Sequence, residues 1–213
     1  MRSSNIITIT GAGSARTPAL VGSLVKLKDR FPLKKIIFYD IDNERTSKME
    51  DYIRLVLKTY SNETEVVFTT DPDVAYEKTD FVFCQMRVGK NEMRSFDEKI
   101  PLKHGLVGQE TCGPGGFAYG MRSLGAMVEM VNQVRKHSKD TWILNYTNPA
   151  AIVALGLDKV FPDDKRILNL CDQPYSLMRS YAKILGVEQK NLRATYFGLN
   201  HFGWWTSVRD KQG

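Results

Sequence analysis

Cys171 and Asp172 stand side by side where an apolar run, Ile167, Leu168 and Leu170, comes to an end, and Pro174 follows them. A thiolate binds divalent cations and a carboxylic acid donates protons, so the two residues can bring a metal and an acid to one bond. His201, thirty residues downstream in GLNHFGWW, is a candidate second ligand. Thiolate and imidazole can share one ion, which then completes its shell with substrate oxygens or water. No local ligand spacing applies over that distance, and by spacing alone a buried structural cysteine and an ordinary histidine are favoured; the strand-end position of Cys171 is what supports the metal reading. Gly198 and Asn200 ahead of His201 suit a loop that reaches a site. Asp172 also suits a plain helix cap before Pro174.

GAGSAR, residues 11–16, is a second constellation. Gly11 permits a tight turn after an apolar strand, Gly13 lets backbone approach a pyrophosphate, and the helix that follows points its N-terminal amides at the anion. Arg16 stands where the usual fingerprint has a third glycine, so the position after the first strand carries the reading. Asp40 closes the second strand. A carboxylate there accepts hydrogen bonds from a ribose diol and repels a 2′-phosphate, which favours NAD over NADP. A structural turn with a surface acid is the plainer alternative. Arg87 and Arg94 can each clamp a phosphate with a fork of N–H donors, or sit on a solvated helix face. Asn145 and Asn148 precede Pro149 and can orient hydroxyl ligands, although Asn-Pro is also an ordinary turn.

The elements that must position these residues alternate along the chain. Strands are expected over 5–10, 35–40, 65–70, 80–85, 141–147 and 166–171. Helices are expected from Pro18 with Thr17 as N-cap, from Asn43 to about Tyr60, over 72–78, 89–99 and 121–137, after Pro149, and over 175–185. Residues 104–116, HGLVGQETCGPGG, read as a glycine-rich loop, and Met121, Leu124, Met127 and Val131 as a core stripe. NLRATYFGLNHFGWW opens a further strand, and the chain closes in what reads as a hairpin with two adjacent tryptophans in need of packing. The alternation predicts an α/β fold with a doubly wound, Rossmann-like parallel sheet in the order 3-2-1-4-5-6. Ligands of such sheets lie beyond the C-terminal strand ends, which places Asp40, Arg87, Asn145, Asn148, Cys171 and Asp172 around one crevice. Residues 1–190 are expected to form the nucleotide-binding domain, and 191–213 to begin a second α+β substrate and metal domain.

Composition narrows the partners. The 213 residues carry 30 Lys and Arg against 24 Asp and Glu, a formal charge of +6 spread without a basic tract, which favours an anionic small ligand over nucleic acid. Three cysteines do not make a disulfide framework, so a reducing, cytoplasmic setting is expected. No apolar run approaches the roughly 20 residues of a membrane span, and MRSSNIITIT lacks the features of a signal peptide.

Taken together, GAGSARTP, RVGKNEMR (87–94), GQETCGPGG (108–116), NYTNPAA (145–151), CDQP (171–174) and GLNHFGWW (198–205) resemble family 4 glycoside hydrolases, from the first strand to Trp205. The resemblance is greatest to the branch acting on α-glucosides of 6-phosphoglucose such as maltose 6′-phosphate. It implies NAD, a divalent metal (usually manganese), and hydrolysis by oxidation, elimination, addition and reduction, a departure from the two-carboxylate scheme. In that route hydride leaves C3, a tyrosine base takes the C2 proton, an acid assists the departing oxygen, water adds and the hydride returns. The resemblance assigns Cys171 and His201 to the metal and Asp172 to the proton donor. It assigns Glu110 to raising the basicity of the tyrosine, Arg94 and Asn148 to the substrate, and Gly11, Gly13, Ser14, Asp40 and Arg45 to the nucleotide. Asp172 points to the α-linkage, since β-type enzymes resemble this stretch with Asn in its place.

Family members are about twice this length, and the resemblance places the tyrosine base, further phosphate contacts and much of a homo-oligomeric interface in the second half. The expectation is an N-terminal part of a longer protein, with little or no glycosidase activity on its own. Two other readings share the fold: a malate- or lactate-type dehydrogenase, against which CDQP and NHFGWW speak, and a non-catalytic nucleotide- or partner-binding module.

Overall fold

The computed structural model describes residues 5–60 and 63–210; the N-terminal tetrapeptide and the last three residues of the expected hairpin segment lie outside them. Six parallel strands, β1 (Asn5–Thr10), β2 (Leu33–Tyr39), β3 (Glu65–Thr69), β4 (Phe81–Cys84), β5 (Trp142–Asn145) and β6 (Ile167–Asn169), form one sheet. Their order is β3-β2-β1-β4-β5-β6, as the alternation predicts. Seven helices, α1 (Thr17–Lys26), α2 (Asn43–Tyr60), α3 (Pro72–Tyr76), α4 (Lys90–Lys103), α5 (Gly113–His137), α6 (Ala150–Val160) and α7 (Gln173–Leu185), are described with them. A separate antiparallel pair, β7 (Arg193–Leu199) and β8 (Phe202–Arg209), follows a short 3-10 turn.

Strand residues alternate between the two faces of the sheet, and each face has its own core. Ile36 and Phe38 of β2 join Ile7, Ile9, Val21, Leu24, Ile53 and Leu57 under α1 and α2. Ile37, between them, faces Tyr76, Met127, Val131, Val153 and Leu157 under α3, α5 and α6. Each fully buried side chain of this kind contributes roughly 1.5–3 kcal/mol. Thr8 and Thr10 on the second face are buried but paired, Thr8 to the Ala75 carbonyl and Thr10 to the Tyr76 hydroxyl.

Four local expectations change. The N-cap of α1 is Arg16, not Thr17. Thr17 is buried, donates its hydroxyl to the Ala12 carbonyl at 2.7 Å and accepts from Gln85 Nε2 at 2.7 Å, so it ties the glycine loop to β4. Helix α5 starts at Gly113, inside the stretch read as a loop. There the glycines serve close packing: a Cβ at Gly115 would fall 2.3 Å from the Asp97 carbonyl oxygen, and Pro114 fits a first turn. The buried face of α5 runs through Gly120, Ser123, Met127, Met130 and Val134, which turns Met121 outward at 55% exposure. Helix α4 also outlasts its expected end, through Pro101 to Lys103.

The β7–β8 hairpin supplies the packing that the tryptophans need. Trp205 sets its ring edge-on to Tyr181 of α7, centroids 6.0 Å apart, and Trp204 stacks on Phe197 on the other face. Helix α7 begins directly after Cys171 and Asp172, so the Trp205–Tyr181 contact ties the hairpin to the helix that follows β6.

Candidate active site

The strand ends form one row. Tyr39 pairs with Thr10, Thr10 with Cys84, Cys84 with Asn145, and Asn145 with Asn169. The residues just beyond this row line the crevice at the C-terminal edge, where parallel sheets bind ligands. Three clusters occupy it.

The first surrounds the glycine loop. Gly11 adopts φ +81°, a left-handed conformation that suits glycine, and its amide and that of Ala12 both donate to the Tyr39 carbonyl at 3.0 Å. The buried Gly13 donates its amide to Asp40 Oδ2 at 2.8 Å, while Arg45 Nη2 donates to the Gly13 carbonyl at 3.0 Å. A Cβ at Gly13 would lie 2.7 Å from Arg45 Cβ and 3.0 Å from Asp40 Oδ2, so only bare backbone fits there. Ser14 is folded into the loop, its hydroxyl accepting from the Arg16 amide at 3.2 Å. The first turn of α1 carries no acidic residue and its N-cap makes no side-chain bond, leaving a helix terminus suited to an anion. Bare backbone, helix terminus and an acid at the end of β2 fit a dinucleotide.

The second cluster is a carboxylate held by two guanidiniums. Glu110 accepts from Arg87 Nη2 at 2.9 Å and from Arg94 Nη1 at 3.0 Å, and is itself well covered. Arg94 also donates to Glu98 at 2.8 Å. The Glu98 hydrogen bond first, then the charges of Glu110 and Glu98, hold the Arg94 guanidinium above its ordinary value. Arg87 lies over the Tyr119 ring at 5.6 Å, and its Nη1 is buried without a hydrogen-bond acceptor. Asn148, across the crevice, precedes a cis Asn148–Pro149 bond, and its carbonyl accepts from Ser123 at 3.4 Å.

The third cluster joins β6 to the hairpin. Cys171 lies two residues past Asn169, the last residue of β6, with its Sγ 3.5 Å from His201 Nε2. Bonds of about 2.3 Å to sulfur and 2.1 Å to nitrogen place two donors on one ion about 3.1–3.6 Å apart at bond angles between octahedral and tetrahedral. The pair therefore fits a shared divalent cation. Among the described residues no group of three His, Cys, Asp or Glu side chains gathers, and Cys171 and His201 are the pair that the crevice offers. His201 sits in the tight turn between Leu199 and Phe202 at φ +59°, a conformation costing a non-glycine residue roughly 1–2 kcal/mol. That cost is tolerated where the turn aims a functional side chain.

Asp172 is at the N-cap of α7 but makes no side-chain cap hydrogen bond, so the plain helix-cap alternative does not describe it. Tyr146, one residue past β5, feels the negative charge of Asp172. Burial, then the neighbouring Asp172, push the Tyr146 hydroxyl up to about 12. Tyr146 lay within the strand-end stretch without a role of its own; its place one residue past β5 was the available signal. Cys112 is a second addition, its Sγ 3.9 Å from the Asn200 carbonyl beside His201. The structure brings Cys171, Asp172 and His201 together, and separately Glu110 with Arg94. Among the described residues, Asn148 makes no hydrogen bond to either set.

The sequence profile of the family described as Family 4 glycosyl hydrolase matches residues 6–187. The maltose-6′-phosphate glucosidase MalH of Clostridium acetobutylicum is 49% identical over 208 residues, 97% of this chain and 47% of that protein. A crystal structure of a 6-phospho-alpha-glucosidase from gut microorganisms in complex with NAD and Mn2+ superposes with a TM-score of 0.95 at 47% identity, over 99% of this chain and 48% of that one. Another 6-phospho-alpha-glucosidase from gut microorganisms, in complex with NAD and glucose-6-phosphate, gives 0.93 at 43% identity, over 98% and 47%. The chain spans about half the length of the curated relatives it matches. On sequence and fold alike, it belongs to the family 4 glycosyl hydrolases.

Proposed function

We propose that the chain carries the nucleotide- and metal-binding part of a 6-phospho-α-glucosidase, which hydrolyses α-glucosides of 6-phosphoglucose such as maltose 6′-phosphate. The observation that carries this reading is the Cys171–His201 pair at 3.5 Å, with Asp172 adjacent and making no cap hydrogen bond to its own helix. When bound, NAD supplies a reversible hydride acceptor and the divalent cation, most simply Mn2+, a Lewis acid for the sugar oxygens. Cys171 and His201 hold the cation. Gly11, Gly13, Ser14, Asp40 and Arg45 hold the nucleotide, with Asp40 at the ribose.

Asp172 protonates the departing glycosidic oxygen, because a sugar alkoxide is a poor leaving group without a proton. Arg94, half-exposed at the rim, binds the 6-phosphate with its fork of donors, and Asn148 orients the sugar hydroxyls. Glu110, anchored by Arg87 and Arg94, sets negative charge beside the sugar and favours proton removal by a base supplied from elsewhere in the polypeptide. A thiolate ligand at Cys171 requires a reducing compartment, so the cytoplasm is the proposed setting. A dehydrogenase that keeps the hydride accounts for the glycine loop but leaves the Cys171–His201 pair without a use.

The test is hydrolysis of nitrophenyl α-glucoside 6-phosphate by the polypeptide that contains this chain with its downstream sequence, stripped of nucleotide and metal. Activity is expected only when NAD+ and Mn2+ are both restored, with no accumulation of NADH. Hydrolysis independent of both additives rejects the proposal, and NADH accumulation from a 2-hydroxy acid favours a dehydrogenase.

A further inference from the structure

Arg87 and Arg94 grip different oxygens of Glu110. Arg87 Nη2 donates to Oε1 at 2.9 Å, and Arg94 Nη1 donates to Oε2 at 3.0 Å. The two ion pairs are therefore separable: either arginine can leave without breaking the other's hydrogen bond. Their settings differ. Arg94 is the more exposed of the two, and its Nε donates to Glu98 Oε1 at 2.8 Å, one turn further along α4.

Arg87 is built into the fold. Its guanidinium lies over the Tyr119 ring at 5.6 Å, and Arg122 lies over the same ring at 5.5 Å. Arg122 Nε donates to the carbonyl of Val88, the next residue, at 3.2 Å, and its Nη1 donates to the buried Asp97 at 3.3 Å. The Lys90 amide donates to the Arg87 carbonyl at 3.2 Å. The backbone around Arg87 is thus tied to α5 and to the start of α4. Arg87 Nη1 is buried without an acceptor among the described residues, so its Nη pair is not free to meet an incoming anion. Bidentate recognition of a phosphate needs two such donors side by side. An arginine with its fork closed to anions, and one donor on a well-covered carboxylate, serves that carboxylate.

A phosphate dianion that arrives at Arg94 competes with Glu110 for the same Nη1. Once Arg94 turns to the phosphate, Glu110 is a covered carboxylate that has lost one cation. Such a charge is costly unless a second cation stays with it. Arg87, on the other oxygen, is that cation.

We propose that Arg87 is the positioning residue for Glu110: it keeps the carboxylate in place and neutralised while Arg94 exchanges Glu110 for the phosphate of the sugar. The inference rests on the reading of Arg94 as the phosphate clamp. It has a consequence that neither direct contact with phosphate nor damage to the fold produces. Arg87 aids phosphate binding only as long as residue 110 carries a charge.

The experiment is calorimetric titration of orthophosphate into the polypeptide that contains this chain with its downstream sequence, as wild type, Arg87→Met, Glu110→Gln and the double variant. Methionine keeps an unbranched stem against Tyr119 and removes the cation. Arg87→Met is expected to weaken orthophosphate by about fivefold or more, the usual size of coupling between linked sites. In the Glu110→Gln background the same substitution is expected to change the affinity by less than about twofold, since the coupling needs both charges. Arg87→Lys, which keeps the charge, is expected to recover part of the loss, and it replaces the Met form in both backgrounds if that form does not fold. An equal loss in the two backgrounds, or no loss in either, overturns the proposal. Orthophosphate binding that survives Arg94→Ala overturns the reading of Arg94 as the clamp and this inference with it, a result distinct from the other two.

Discussion

Cys171 Sγ lies 3.5 Å from His201 Nε2, although thirty residues separate the two in sequence. Their approach depends on two elements with no hydrogen-bonded ladder between them. One is the end of β6; the other is the tip of the β7–β8 hairpin, held by the Trp205–Tyr181 contact to the helix that starts beside Cys171. Thiolate and imidazole at that separation suit two ligands of one divalent cation.

Removing either ligand is predicted to weaken Mn2+ binding by roughly 100-fold, given that even outer partners of metal ligands cost 10–100-fold. Electron paramagnetic resonance of free Mn2+, titrated with wild type, Cys171→Ser and His201→Ala, reads this without an activity assay. Unchanged affinity in both variants contradicts the assignment.

Gly13→Ala is predicted to raise the Kd for NAD+ by about tenfold, equivalent to about 1.4 kcal/mol. The new Cβ would press on Arg45 Cβ at 2.7 Å and Asp40 Oδ2 at 3.0 Å, displacing the two side chains assigned to the nucleotide. Calorimetric titration with NAD+ measures it, and an unchanged Kd places the nucleotide elsewhere.

Glu110→Gln is predicted to tighten orthophosphate binding by several-fold, because Arg94 then faces an incoming dianion without the Glu110 carboxylate on its Nη1. Arg94→Ala is predicted to abolish that binding. The same titration tests both, and phosphate affinity indifferent to Arg94 contradicts its proposed role.

Stability carries a separate pH signature at Asp164, away from the crevice. Burial acts to raise its pKa, but hydrogen bonds from Arg135 and the Arg166 amide, with the charges of both arginines, outweigh it and leave it lowered. A folded carboxyl with a depressed pKa stabilises the fold above its unfolded value of about 4, and the contribution is lost as pH falls through the folded value. Asp164→Asn is therefore predicted to cost about 1–3 kcal/mol at neutral pH and little in acid. Thermal unfolding of the two forms across pH shows whether their midpoints converge on acidification.

The sheet was legible in the sequence because its strands are short β-branched and aromatic runs, such as NIITIT, KIIFYD and EVVFTT, each followed by a helical period. The start of α5 was not, because Gly115 and Gly116 look like loop residues until the Asp97 and Thr111 backbones that crowd them are seen. Met121 was misplaced for a related reason: a spacing of three and four residues fits more than one helix face until the partner helix is known. Cys171, Asp172 and His201 were legible as candidates by residue type and motif, but no sequence spacing encodes the hairpin that brings His201 within 3.5 Å of Cys171.

The central claim is hydrolysis by removal and return of a proton beside the glycosidic carbon, at a site built around Cys171, His201 and Asp172. The most direct measurement is hydrolysis of maltose 6′-phosphate in deuterium oxide by the polypeptide that contains this chain with its downstream sequence, loaded with NAD+ and Mn2+. Magnetic resonance of the released glucose 6-phosphate is predicted to show deuterium at C2, with no net NADH formed. Product that retains the original hydrogen at C2 throughout turnover, as direct displacement by water gives, contradicts it.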